Sequence, residues 1–332
     1  MDTILPVVFV ALMGLAILVY AVLDGYDLGV GILMPNGDAH RADRDRMVAS
    51  IGPFWDANET WLVLAVGLLL IAFPAAYSQI LHHFYLPVTL MLGGLILRGV
   101  AFDFRTKASV SFQPLWEHLF KLGSLITALC QGWMLGRYIV AFDQSMLSYG
   151  FAVLSSLGVA AAYAYIGACW LIFKTEGDLQ RRAVRWARWA GRCSFAGVIL
   201  VSATNPLVNP GVFARWFDFP LVMFVLLIPF SCFLLFVLNE LLLQRMPRAQ
   251  DRFSWLPFVA CIGIFLLCFS GIAFSFFPDI VPGELTVWEA ASATESLQFI
   301  FYGAVIVVPT ILAYTGYAYW VFRGKATKLE YH

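Results

Sequence analysis

This chain has little charge: acidic and basic residues, 21 of each, make up 13% of its 332 positions. A soluble domain carries about a quarter. No low-complexity stretch or long polar linker separates its apolar runs. A Walker motif, a GxGxxG turn after a strand and a serine nucleophile elbow are all missing, which argues against nucleotide binding and hydrolysis. The six cysteines (130, 169, 193, 232, 261, 268) form no CxxC pair. That excludes the usual zinc and disulfide frameworks and leaves small buried packing residues as the expectation. Histidine is scarce. His40 and His332 lie in polar segments, His82 and His83 at one helix mouth and His118 at another. A membrane haem needs axial ligands reaching from helices into the bundle core. Adjacent imidazoles on a helix point about 100° apart, a poor arrangement for one metal. We therefore expect this chain to supply neither haem ligands nor a metal site.

What is present is apolar. Hydrophobic residues make up 61% of the chain and mean hydropathy is +0.80. At about 20 residues per crossing, this predicts an all-α, polytopic membrane protein forming one domain over 1–332. Nine transmembrane helices are expected near 3–23, 56–76, 80–102, 118–140, 149–173, 193–208, 217–243, 254–277 and 296–322. Two four-helix bundles plus one peripheral helix is the architecture that short connections favour. The first run lacks a basic leader and a small-residue cleavage site, so it is expected to stay as a helix. The sixth is the shortest, cut by Asn205, Pro206, Asn209 and Pro210.

Charge placement decides between eight and nine crossings. With nine, nineteen of the 21 basic residues share one side, and only Arg137 and Arg215 lie opposite. The positive-inside rule then puts the amino terminus outside and the carboxyl terminus in the cytoplasm. Dropping the sixth helix would move Arg245, Arg248, Arg252 and the tail to the wrong side. Residues 176–192 (EGDLQRRAVRWARWAGR) read as an interfacial amphipathic helix or a basic loop, with Trp186 and Trp189 as anchors.

The carboxylates at the membrane boundary carry the chemistry, since such groups are costly without a partner or a task. Asp24 and Asp27 in LDGYDLGVG (23–31) are three apart, and Gly25, Gly29 and Gly31 permit a tight turn or a close helix contact. In GPFWDANETWL (52–62), Asp56 and Glu59 share a helix face, flanked by Trp55, Asn58 and Trp61. Helix capping accounts for part of that polarity, but two acids, an amide and two indoles exceed one cap. In LRGVAFDFR (97–105), Asp103 and Asp56 fall at the same cytoplasmic depth and can form the mouth of a proton path. Arg98 lies deeper, where it needs an acidic partner; an Arg–Asp ion pair is the plain alternative. Ser292 with Glu295 has capping-box spacing, and Glu289 can do the same work one turn earlier.

These segments resemble subunit II of the cytochrome bd-type quinol oxidases. The likeness runs through YAVLDGYDLGVG (20–31), GPFWDANETWL (52–62), FPAAYS (73–78) and LRGVAFDFR (97–105). It resumes at TVWEAAS (286–292) and PTILAYTGYAYWVFRGK (309–325). It implies a haem-free subunit of a terminal oxidase in the bacterial inner membrane, which oxidises quinol and reduces dioxygen to water. The implied partner is a haem-bearing subunit I with two b-type haems and one d-type haem, with room for a small accessory transmembrane subunit. By the resemblance, Asp56 and Asp103 match acids of the cytoplasmic proton route. Glu59 stands where some relatives have glutamine. Asp24, Asp27, Trp55, Asn58 and Arg98 match supporting positions. A proton-coupled secondary transporter is the competing reading; it would require broken helices around a mid-membrane site.

Overall fold

The computed structural model describes residues 3–109, 111–220, 222–248 and 251–326. Lys328 and His332 lie outside them. The chain is almost wholly helical. Helix α1 (Ile4–Leu33) leads through α2 (Arg41–Ile51) to α3 (Trp55–Ala72), α4 (Pro74–Lys107), α5 (Gln113–Ile139), α6 (Met146–Lys174) and α7 (Gly177–Val208). Short helices α8 (Pro210–Trp216) and α9 (Val222–Val225) precede α10 (Leu227–Leu243) and α11 (Leu256–Phe276). A small hairpin of β1 (Asp279–Val281) and β2 (Leu285–Thr286) follows, then α12 (Val287–Ala290) and α13 (Thr294–Val321).

Among the described residues, seven helices are long and apolar enough to cross a membrane: α1, α3, α4, α6, α9 with α10, α11 and α13. Helices α5 and α7, with 27 and 32 residues, are more polar yet span about 40 and 48 Å at 1.5 Å per residue. Consecutive helices from α4 to α7 pack against one another, α1 lies against α3, α5 and α6, and α10 pairs with α11. Helix α13 has the least cover.

Polar contacts tie the basic connections together at one end. Glu117, before the apolar part of α5, holds both Arg44 of α2 (2.6 Å) and Arg105 of α4 (2.9 Å), and Arg105 also reaches Asp45 (2.5 Å). Arg182 of α7 pairs with Asp43. Gln180 donates to Asp251 (2.5 Å), which also pairs with Lys325. Lys325 in turn donates to the carbonyls of Phe173 and Thr175 at 2.8 and 3.2 Å. The connections α1–α3, α4–α5, α6–α7 and α10–α11 and the tail therefore meet. At the other end Trp288 donates to the Thr3 carbonyl (3.0 Å), Tyr138 to Ile280 (3.0 Å) and the Ser292 amide to Ala72 (2.8 Å).

Four expectations change. Helix α1 does not stop at the first acidic cluster but runs ten residues on, to Leu33. Its glycines serve contact rather than a turn. A Cβ on Gly29 would come within 3.1 Å of the Gly167 Cα, and one on Gly167 within 2.6 Å of the Gly29 carbonyl carbon, so α1 and α6 meet backbone to backbone. The segment 176–192 is not a separate element; it forms the first half of the continuous helix α7. The capping box is Thr286 with Glu289, whose carboxylate accepts from the Thr286 amide at 2.9 Å. Ser292 instead donates to the Ile71 carbonyl (2.7 Å) and bridges to α3. Finally, not every cysteine is buried: Cys193 is exposed.

Candidate functional site

The site forms where α1, α3 and α4 converge. Arg98 of α4 is 1% exposed. Its Nη1 lies 2.7 Å from Asp24 Oδ1 of α1, and its Nη2 lies 3.2 Å from Glu59 Oε2 of α3. Glycine makes this depth accessible. A Cβ on Gly94 would sit 3.0 Å from the Gly123 carbonyl, and one on Gly123 would sit 2.9 Å from the Arg98 amide. Helices α4 and α5 therefore touch one turn from the guanidinium.

Asp27, one turn beyond Asp24, accepts a hydrogen bond from Asn58 Nδ2 at 2.7 Å. The same amide nitrogen lies 2.9 Å from the Tyr26 hydroxyl. Tyr319 of α13 donates to Asn58 Oδ1 (3.2 Å), and its hydroxyl is 2.5 Å from that of Tyr26. Stacking holds both phenols: Tyr26 on Trp170 at 4.2 Å and Tyr319 on Phe54 at 4.5 Å between ring centres. A further set of hydrogen bonds runs from Tyr163 to Gln131 (2.6 Å) and from Gln131 to Tyr20 (2.6 Å), one turn before Asp24 on α1.

Two carboxyls thus pair with a single guanidinium, Asp24 sealed from solvent and Glu59 30% exposed, and a third, Asp27, is sealed one turn from Asp24. With all three ionised the cluster would carry a formal charge of −2, a poor state for a low-dielectric interior. Glu59 is its partly exposed member. It lines a groove of about 300 Å³ with Trp55, Asp56, Leu95 and Ile96. Trp55 sits 6.0 Å from the Arg98 guanidinium, within cation–π range.

The sequence-predicted residues divide accordingly. The structure gathers Asp24, Asp27, Trp55, Asn58, Glu59 and Arg98 into one cluster. Asp56 stands exposed on the groove rim. Asp103, also exposed, lies near the end of α4 outside the cluster. The acid that neutralises Arg98 most closely is Asp24, from a different helix. Sequence reasoning missed Tyr26, Tyr319, Tyr20 and Gln131. Tyr26 lies between the two aspartates and could have been found there; Tyr319 falls within the PTILAYTGYAYWVFRGK segment.

The described imidazoles lie outside the cluster. His40 is engaged by Arg182 (2.6 Å), His118 by the Pro114 carbonyl (2.5 Å), and His83 lies flat on Phe142 at 4.2 Å. None of the four described histidines is buried. Among the described residues no group of three or more His, Cys, Asp or Glu could hold a metal.

Comparisons with known proteins show which family the chain resembles. The profile of the family described as "Cytochrome bd terminal oxidase subunit II" matches residues 5–322. Subunit 2 of the cytochrome bd-I ubiquinol oxidase of Escherichia coli strain K12 is 30% identical over 362 aligned positions, covering 96% of this chain and 94% of that one. Subunit 2 of the cytochrome bd ubiquinol oxidase of Bacillus subtilis is 27% identical, covering 93% of each. In fold, the chain is similar to a solved chain of the bd oxidase from Geobacillus thermodenitrificans, with a TM-score of 0.73 at 17% identity, covering 97% of this chain and 99% of that one.

Proposed function

We propose, from the premise that this chain belongs to the cytochrome bd terminal oxidase subunit II family, that it delivers cytoplasmic protons to redox centres held by its partner. As a family member it is a multi-pass membrane subunit of a quinol oxidase complex, and its partner is subunit I. The complex contains haem, which we assign to subunit I as two b-type haems and one d-type haem. A small accessory transmembrane subunit is compatible with this reading.

We read nine crossings of the bacterial inner membrane, arranged as two four-helix bundles and a peripheral α13. The lengths of α5 and α7 support this, as does the shared end of the basic connections. By the positive-inside rule that end is cytoplasmic and the amino terminus is outside. The proton route would begin at Asp103 and Asp56, pass to Glu59 and end in the Asp24–Asp27 cluster. There each carboxyl can take up and give back a proton while Arg98 limits the net charge.

One observation carries the reading: Glu59 belongs at once to the open groove beside Asp56 and to the buried ion pair of Arg98. Helices α1 and α4 run unbroken past the cluster and α3 begins at it, unlike the interrupted helices of a secondary transporter. The test is quinol-driven oxygen uptake by the intact complex carrying Glu59→Gln, which keeps shape and hydrogen bonding but not the exchangeable proton. Turnover should fall about tenfold or more, as for loss of a general acid–base group, with haem absorption unchanged. Wild-type turnover would refute the route through Glu59.

A further inference from the structure

The proton route makes no use of the polar face of α7. Arg181, Arg185, Arg188 and Arg192 are spaced four, three and four residues apart, so they share one side of the helix. Trp189 beside them is 70% exposed. Arg188 Nε and Arg192 Nη2 converge on a single oxygen of Glu240 from α10, at 3.3 and 2.8 Å. Arg181 has only an exposed 3.6 Å pair with Asp178. Arg185 has no hydrogen bond or ion pair to a described residue. Four arginines against two carboxylates leave a formal surplus of +2.

Directly beside this row lies a groove of about 210 Å³, walled by Phe195, Phe236, Val237 and Leu241, with Arg192 and Glu240 at its rim. Its floor is Tyr165, whose hydroxyl is taken up by Asn239 at 2.6 Å. The groove exists because residue 191 is glycine; a Cβ there would come within 2.8 Å of the Tyr165 ring. An apolar slot under a row of guanidiniums matches a lipid with a negative headgroup.

We propose that the groove between α7 and α10 binds an anionic phospholipid, with an acyl chain against Phe195, Phe236 and Val237 and the headgroup phosphate on Arg185, Arg188 and Arg192. Glu240 spends one N–H of each of two arginines. It holds them over the slot, and their remaining donors stay free for bidentate contact with phosphate. A zwitterionic lipid brings its own cation, which the positive row repels. The inference rests on the placement of the first half of α7 at the cytoplasmic interface.

Native mass spectrometry of the intact oxidase, titrated with phosphatidylglycerol or phosphatidylethanolamine, tests the site. Phosphatidylglycerol should be retained preferentially. Arg185→Gln with Arg188→Gln should weaken it more than tenfold, from about fivefold per basic residue. Val237→Trp should displace it by filling the slot with every arginine intact. Equal retention of both lipids, or wild-type retention in both variants, overturns the site. Placement is checked separately with Arg185→Cys in a Cys193→Ser background, probed with a membrane-impermeant maleimide. Labelling only from the cytoplasmic side supports the interface placement. Labelling only from outside removes both that placement and the lipid site. Cytoplasmic labelling without lipid preference overturns the lipid site alone.

Discussion

Asn58 and Asn239 are each 1% exposed, and each uses its amide to fasten helices together, yet they work in different surroundings. Asn58 joins α3 to a carboxylate and two phenols. Asn239 joins α10 to the Tyr165 hydroxyl and the Pro257 carbonyl, with Cys261 at 3.7 Å. Around Asn58 the buried partners include a carboxylate; around Asn239 they are neutral. The buried carboxyls of α1 and the buried Arg98 of α4 lie beside the groove of Asp56 and Glu59. A buried charge costs several kcal/mol unless matched, and Arg98 is matched by Asp24 and Glu59.

The comparison is broken most severely at Arg98. Arg98→Met leaves Asp24 sealed without its counter-charge, which should cost about 3–5 kcal/mol and abolish recovery of the assembled complex. Adding Asp24→Asn should restore part of the thermal stability, because the unpaired charge is gone. If Arg98→Met alone melts like the wild type, the ion pair is not what holds α1 to α4.

Next in size is the pair of asparagines. Asn58→Leu removes a bond to a charged acceptor, worth about 1.5–3 kcal/mol. Asn239→Leu removes neutral bonds worth about 1 kcal/mol. Thermal melts of the two complexes should keep that order, and a reversed order would erase the distinction between the two surroundings.

Much of this contrast was legible in the chain. Charges inside apolar runs demand partners, so Asp24, Asp27, Glu59 and Arg98 stood out before any fold was known. Their pairing did not. Arg98 and Asp24 are 74 positions apart, and nothing local says which acid an arginine meets across a helix interface. The end of α1 was misplaced because glycine reads as a stop, whereas Gly29 and Gly167 let two helices touch. Tyr319 was invisible as a site residue, since an aromatic near a helix end is the ordinary interfacial anchor. The polar face of α7 hid that residues 177–208 form one helix.

The smallest effect lies in a loop outside the spans. Hydrogen bonds from Ser145 and Ser148 hold the Asp143 carboxyl at about 2. That is below its unfolded value of about 3.9, so its contribution is complete above that pH and is lost as pH falls through about 2. Ser148→Ala removes a 2.6 Å bond and should move the loss upward. Limited proteolysis of the loop at 140–145 against pH would register the shift, and an unchanged profile would remove Ser148 from the cause.

The central claim, that the acids of this chain feed protons to haem held by another, is tested most directly by time-resolved proton uptake. Intact complex in sealed vesicles, with its cytoplasmic face towards a pH indicator, is given a pulse of oxygen. With Asp56→Asn and Asp103→Asn, we expect uptake from that face to slow about tenfold or more, as for loss of a proton-transferring group, while haem absorption stays that of the wild type. Uptake at the wild-type rate in both variants would contradict the account.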